Sequence, residues 1–78
     1  MDIQTFIQHF IEQLEEPDAV QITASTAFRD LDEYSSLLAL SIVAMVDEEY
    51  NVSIKSADLN SAQTIEDLFN IVLKKSKG

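Results

Sequence analysis

The sequence predicts an all-α fold, a small bundle of three main helices plus one short helix. Three observations predict it. Apolar residues recur at helical spacing in separate stretches, each followed by a residue type that ends helices. The only internal helix breaker is Pro17, the single Gly being the last residue. Finally, 78 residues with 46% hydrophobic content, four Phe and two Tyr supply one modest core and not two. The expected organisation is therefore one domain over residues 1–78.

The first element is the clearest. Ile3, Phe6, Ile7, Phe10, Ile11 and Leu14 fall at offsets of three and four residues, the stripe of an amphipathic helix with one face buried. A helix over about 3–15 follows, stopping near Glu16 because Pro17 disfavours helical geometry in the residue before it. Residues 17–34, PDAVQITASTAFRDLDEY, hold Val20, Ile22, Phe28 and Leu31 without a sustained period. They read as a long irregular connection pinned to the core by those side chains, with room for a short helical turn. A loop of this length in a small domain is often functional.

The second helix is expected over about 36–50. Leu38, Ile42, Val46 and Tyr50 run down one face with Val43 and Met45 beside them, and Asn51 supplies a left-handed ending. Leu37 and Leu40 project toward another side, so this helix has more apolar surface than one buried stripe requires. A short helix over about 56–60 turns Leu59 inward. The last helix, over about 64–75, starts at Thr64 with Asp67 three residues on, and carries Ile65, Leu68, Phe69, Val72 and Leu73. Lys74 and Lys75 complement its negative C-terminal end. Phe6, Phe10, Phe28 and Phe69 are assigned to the core, together with Leu38, Ile42, Val46 and Leu68.

Charge narrows the function. Fourteen acids against five bases give a net charge of −9, which repels nucleic acid and anionic membranes and favours basic protein partners. Apart from Arg29 no base precedes Lys55, so the first two thirds present an almost purely negative surface. No cysteine is present, which excludes disulfides and thiolate metal sites and fits a reducing compartment. MDIQTFIQHF places an acid where a secretion signal has bases, and no apolar run approaches bilayer-spanning length. A cytoplasmic monomer without membrane insertion is expected.

Catalytic and metal chemistry find little support. Asp30 and Asp32 suggest a calcium loop, but Ser35 and Ser41 stand where that loop needs its glycine and its bidentate acid. His9 is the only histidine, with no nearby ligand pattern, and reads as a solvated helix residue. No nucleophile and base can be paired, so no catalytic residue and no metal ligand is assigned. Two features remain. Asp47, Glu48 and Glu49 close the second helix, where negative charge opposes the helix dipole at about 0.3–1 kcal/mol each; they are either a solvated face or a docking patch. And Ser35 and Ser36 both stand where the loop becomes a helix. One serine is explained as a cap; the second suits a phosphate ester, which a helix N-terminus stabilises.

These residues resemble a known family. SSLLALSIVAMVDEEYNVSI is similar to the segment of acyl carrier proteins in which an Asp-Ser-Leu motif opens the second helix and an acidic triplet followed by an aromatic closes it. The spacing from Ser36 to Tyr50 matches that family without a gap. Phe28 and Leu31 resemble its apolar anchors, and ADLNSAQTIEDLFNIV resembles its later helices. Two departures stand out. The motif reads Leu31-Asp32-Glu33-Tyr34-Ser35-Ser36-Leu37, one residue longer, without glycine and with Ser35 in place of the aspartate. Ser41 stands where many members have glutamate.

The resemblance implies an acyl-carrier-like bundle that is not an enzyme. Ser36 would accept covalent 4'-phosphopantetheine, attached by a phosphopantetheinyl transferase using coenzyme A and Mg2+. The arm's thiol would then hold acyl groups as thioesters for acyl-transferring or synthase enzymes with basic docking patches. Leu37, Leu40 and Ala44 are the expected partner contacts nearest the arm, with Asp47 and Glu48 as the charged ones. The resemblance implies a place in lipid metabolism such as fatty acid biosynthesis, and the departures point to a specialised carrier in a lipid or secondary-metabolite pathway. The other reading is an unmodified acidic helical interaction module, in which Ser36 is only a cap and Leu37 and Leu40 form a binding patch.

Overall fold

The computed structural model describes residues 2–18 and 21–77. Among these residues four α-helices form the predicted all-α bundle: α1 (Ile3–Ile11), α2 (Ser36–Tyr50), the short α3 (Ser56–Ser61) and α4 (Ile65–Lys77). Among the described residues there is no strand. Helix α1 packs against both α2 and α4, and α3 packs against α4.

The stripe read from the sequence is the buried one. Phe6, Ile7 and Phe10 of α1, Leu38, Ile42, Met45 and Val46 of α2, and Ile65, Leu68, Phe69 and Val72 of α4 meet in one core. Aromatic rings form its centre. Phe6 lies 5.4 Å from Phe69 edge-on and 5.7 Å from Tyr50, while Phe10 stands 6.0 Å from Phe28. Fully burying a side chain such as Phe6 contributes about 1.5–3 kcal/mol, so this cluster dominates the stability of so short a chain.

Helix α1 is shorter than its stripe, ending at Ile11 and not near residue 15. The N–H groups of Gln13 and Leu14 turn back only three residues, to the carbonyls of Phe10 and Ile11. Those of Glu15 and Glu16 leave the helix ladder altogether. They donate to the two carboxylate oxygens of Glu33, at 2.8 and 3.1 Å. A distant acceptor therefore ends the helix before Pro17 can. The boundaries of α3 and α4 also run slightly beyond the expected ones, to Ser61 and Lys77.

Among the described residues, the connection between α1 and α2 is irregular except for a 3-10 turn at Phe28–Asp30. Ile22 and Phe28 are buried and Leu31 half-buried, as expected of its anchors; Val20 lies outside the described residues. The connection also serves α4, because the carbonyls of Thr26 and Ala24 accept from the N–H groups of Ile65 and Glu66 at 3.1 and 2.8 Å. Arg29 donates from Nε to the Ala62 carbonyl at 3.0 Å, so this base ties the turn to the end of α3. Lys75 and Asp58, 3.7 Å apart, link α4 to α3 at the surface, an ion pair worth about 0–1 kcal/mol. Among the described residues no helix is long and apolar enough to cross a membrane.

Candidate functional site

The two serines at the start of α2 are placed differently. Ser35 is the cap: its backbone is extended, and its hydroxyl oxygen accepts from the Leu38 N–H at 3.3 Å. Its carbonyl accepts the Ala39 N–H at 2.9 Å, starting the helix ladder. Ser36 is the first helical residue and is exposed. The reading in which Ser36 is only a cap therefore does not hold, because its neighbour fills that role. The N–H groups of Ser36 and Leu37, for which a helix has no internal acceptor, lie at this same positive end. An ester of phosphate on the Ser36 hydroxyl fits there without displacing the cap.

Beyond Ser36 the exposed side of α2 forms a continuous stripe. Leu37 is 71% exposed and Leu40 67%, the two most open large hydrophobic residues among those described. Ala44, Asp47 and Glu48 are exposed too, at spacings of three and four residues that keep them on the same side of the helix. From Ser35 to Val46 there is no charged residue, so the stripe is apolar near Ser36 and acidic only at its far end.

That far end is held in place by its own contacts. Asn51 takes the predicted left-handed conformation, φ 55° and ψ 39°, and its N–H donates to the Asp47 carbonyl at 3.0 Å. His9 of α1 does not stand free in solvent as its sequence context suggested. It is half-buried, edge-on to the Tyr50 ring at 5.7 Å, with Glu12 at 3.6 Å and Glu49 at 3.7 Å. Glu49 thus turns back toward α1, while Asp47 and Glu48 face outward. Burial, helped by the charges of Glu49 and Asp2, pushes the Tyr50 phenol above its ordinary range. Among the described residues no group of three or more His, Cys, Asp or Glu is placed to hold a metal.

Residues 4–72 match the family described as the phosphopantetheine attachment site. The chain belongs to that family. The group such a domain carries is covalent 4'-phosphopantetheine, and the exposed hydroxyl at the start of α2 is chemically suited to it. Phosphopantetheine carrier domains typically hold and present cargo instead of catalysing its conversion, in association with transferases and synthases in general. Comparison with curated proteins and with solved structures gives no match.

Sequence reasoning missed Glu33. Nothing in its local spacing separates it from Asp30 and Asp32, because the groups it engages are backbone N–H groups of Glu15 and Glu16. An extra residue in the loop before the serines was the one available signal.

Proposed function

We propose that the phosphopantetheine arm is attached to Ser36 and that this chain is an acyl carrier of the cytoplasm. It would serve a specialised lipid or secondary-metabolite pathway. The observation that carries the assignment is the division of labour between the serines: Ser35 caps α2 and leaves the Ser36 hydroxyl exposed at the helix's positive end. When bound, the group supplies a flexible tether ending in a thiol on which acyl units travel. The residues of the chain do the rest. The N-terminus of α2 stabilises the phosphate ester, at about 0.3–1 kcal/mol for a charge at an exposed helix end. Leu37, Leu40 and Ala44 offer an apolar contact beside the arm. Asp47 and Glu48 set orientation and encounter rate against basic patches on a phosphopantetheinyl transferase and on acyl-transferring or synthase enzymes. The chain works as a monomer and supplies no catalytic group of its own.

Intact mass before and after incubation with coenzyme A, Mg2+ and a broad-specificity phosphopantetheinyl transferase tests the assignment, with peptide mapping to separate Ser35 from Ser36. One added arm on Ser36 is the expected result. An arm on Ser35, or none while a control carrier is modified under the same conditions, overturns it.

A further inference from the structure

An open groove of about 260 Å³ lies beside Ser36, between the segment leaving α1 and the start of α2. Ser35 and Leu37, the sequence neighbours of Ser36, both line it. Gln13 and Glu15 form the α1 side, Glu33 belongs to the loop, and Leu38 and Ser41 continue the α2 side. The groove is built by the clamp already described. With its carboxylate fixed by the N–H groups of Glu15 and Glu16, Glu33 holds the two walls in register at 2.8 and 3.1 Å.

We propose that this groove is the resting site of the amide-bearing middle of the phosphopantetheine arm, folded back from Ser36 along the α1 side of α2. This rests on the attachment at Ser36 proposed above. Three arguments favour that occupant. The first is tethering: a group linked to Ser36 meets the groove at an effective concentration in the millimolar range, so contacts too weak to hold a free ligand suffice. The second is chemical. Past its phosphate, the arm presents a gem-dimethyl group, a hydroxyl and two secondary amides. Leu37 and Leu38 suit the methyls, while the Glu15 carboxylate, the Gln13 amide and the Ser41 hydroxyl accept from hydroxyl and N–H donors. No base lines the groove, so the anionic phosphate stays at the helix N-terminus and the neutral stretch enters. The third is size. Small-molecule sites run from about 300 to 1,000 Å³. This groove is smaller, and suits a segment of the arm instead of the arm with a long acyl chain folded in. The arm would then rest lightly beside α2 with its thiol end free for a partner.

The test uses full-length protein loaded from isotope-labelled coenzyme A, with mass mapping of Ser36 and isotope-filtered nuclear Overhauser spectra. Contacts from the gem-dimethyl protons to the Leu37 and Leu38 methyls are expected, with amide shift changes at Gln13, Leu38 and Ser41 between unloaded and loaded protein. Ser41→Phe, which fills the groove, should abolish those contacts while mass still reports the arm. Gln13→Phe from the opposite wall replaces it if the first variant loses its helical circular dichroism. Fully loaded protein whose arm contacts only α3 and α4, or no residue, overturns the groove alone; so do contacts that persist in the filled variant. Absence of the arm from Ser36 overturns the groove and the attachment together.

Discussion

Helix α4 carries Glu66 and Asp67 in its first turn and Lys74 and Lys75 near its other end, each sign where the helix dipole favours it. Helix α2 has no acid in its first turn, no base in its last, and Asp47, Glu48 and Glu49 at its negative end. The apolar residues differ in the same way. Leu68 and Phe69 of α4 are buried, whereas α2 buries Leu38 and Ile42 and leaves Leu37 and Leu40 open. The charges and leucines of α4 follow from what stabilises a helix. Those of α2 do not, at about 0.3–1 kcal/mol for each misplaced charge. A surface kept for partners beside the attachment point proposed at Ser36 would account for them.

The largest expected effect breaks the contrast at its source. Ser36→Ala should remove arm addition completely while the thermal midpoint stays within about 2–4 °C, since an exposed surface change costs under about 0.5 kcal/mol. Modification of that variant in a mass experiment would defeat the assignment. Within α2, Ile42→Ala should destabilise by about 2–5 kcal/mol and Leu40→Ala by under about 0.5 kcal/mol in chemical denaturation. Comparable losses would mean that Leu40 is structural after all. Next, Ser35→Ala should cost about 0.5–2 kcal/mol as a lost cap yet still accept the arm on Ser36.

Two smaller effects concern the charges. Replacing Asp47 and Glu48 together by Lys should raise stability slightly, by about 0.3–1 kcal/mol per site, and slow association with the transferase most at low salt. An association rate unchanged at low ionic strength would make the acids a solvated face only. In α4, the N–H groups of Thr64 and Gln63 hold the Asp67 carboxyl below the usual carboxylate range. The unfolded chain therefore binds this proton more tightly. The stabilisation is present above the ordinary carboxylate pKa, near 4, and fades as pH falls through the lower folded value. Asp67→Asn should flatten the acid limb of the stability profile, and an unaltered limb would show that the N–H groups do not read that charge.

How much of this was legible in the sequence depended on the range of the interactions. The stripe of Phe6, Phe10 and Leu14 announced α1 because periodicity is local, and Asn51 announced the end of α2 because its backbone preference is its own. Where α1 stops was not legible, since the acceptor for its would-be continuation is Glu33, 17 and 18 residues further on. The half-buried position of His9 likewise depends on Glu49 and Tyr50 across the bundle. At the site, spacing singled out the serine pair and the exposed leucines. Which serine caps the helix required the geometry of the Leu38 N–H.

The carbonyls of Ala24 and Thr26 that receive the first N–H groups of α4 bear on how the molecule assembles. During synthesis the connection emerges long before α4, and its acceptors stay open to water until the last helix arrives. Closing these two hydrogen bonds joins residues about 40 apart in sequence, a non-local contact that should slow folding relative to a bundle joined only by tight turns. The amide hydrogens of Ile65 and Glu66 should exchange only when the whole domain opens.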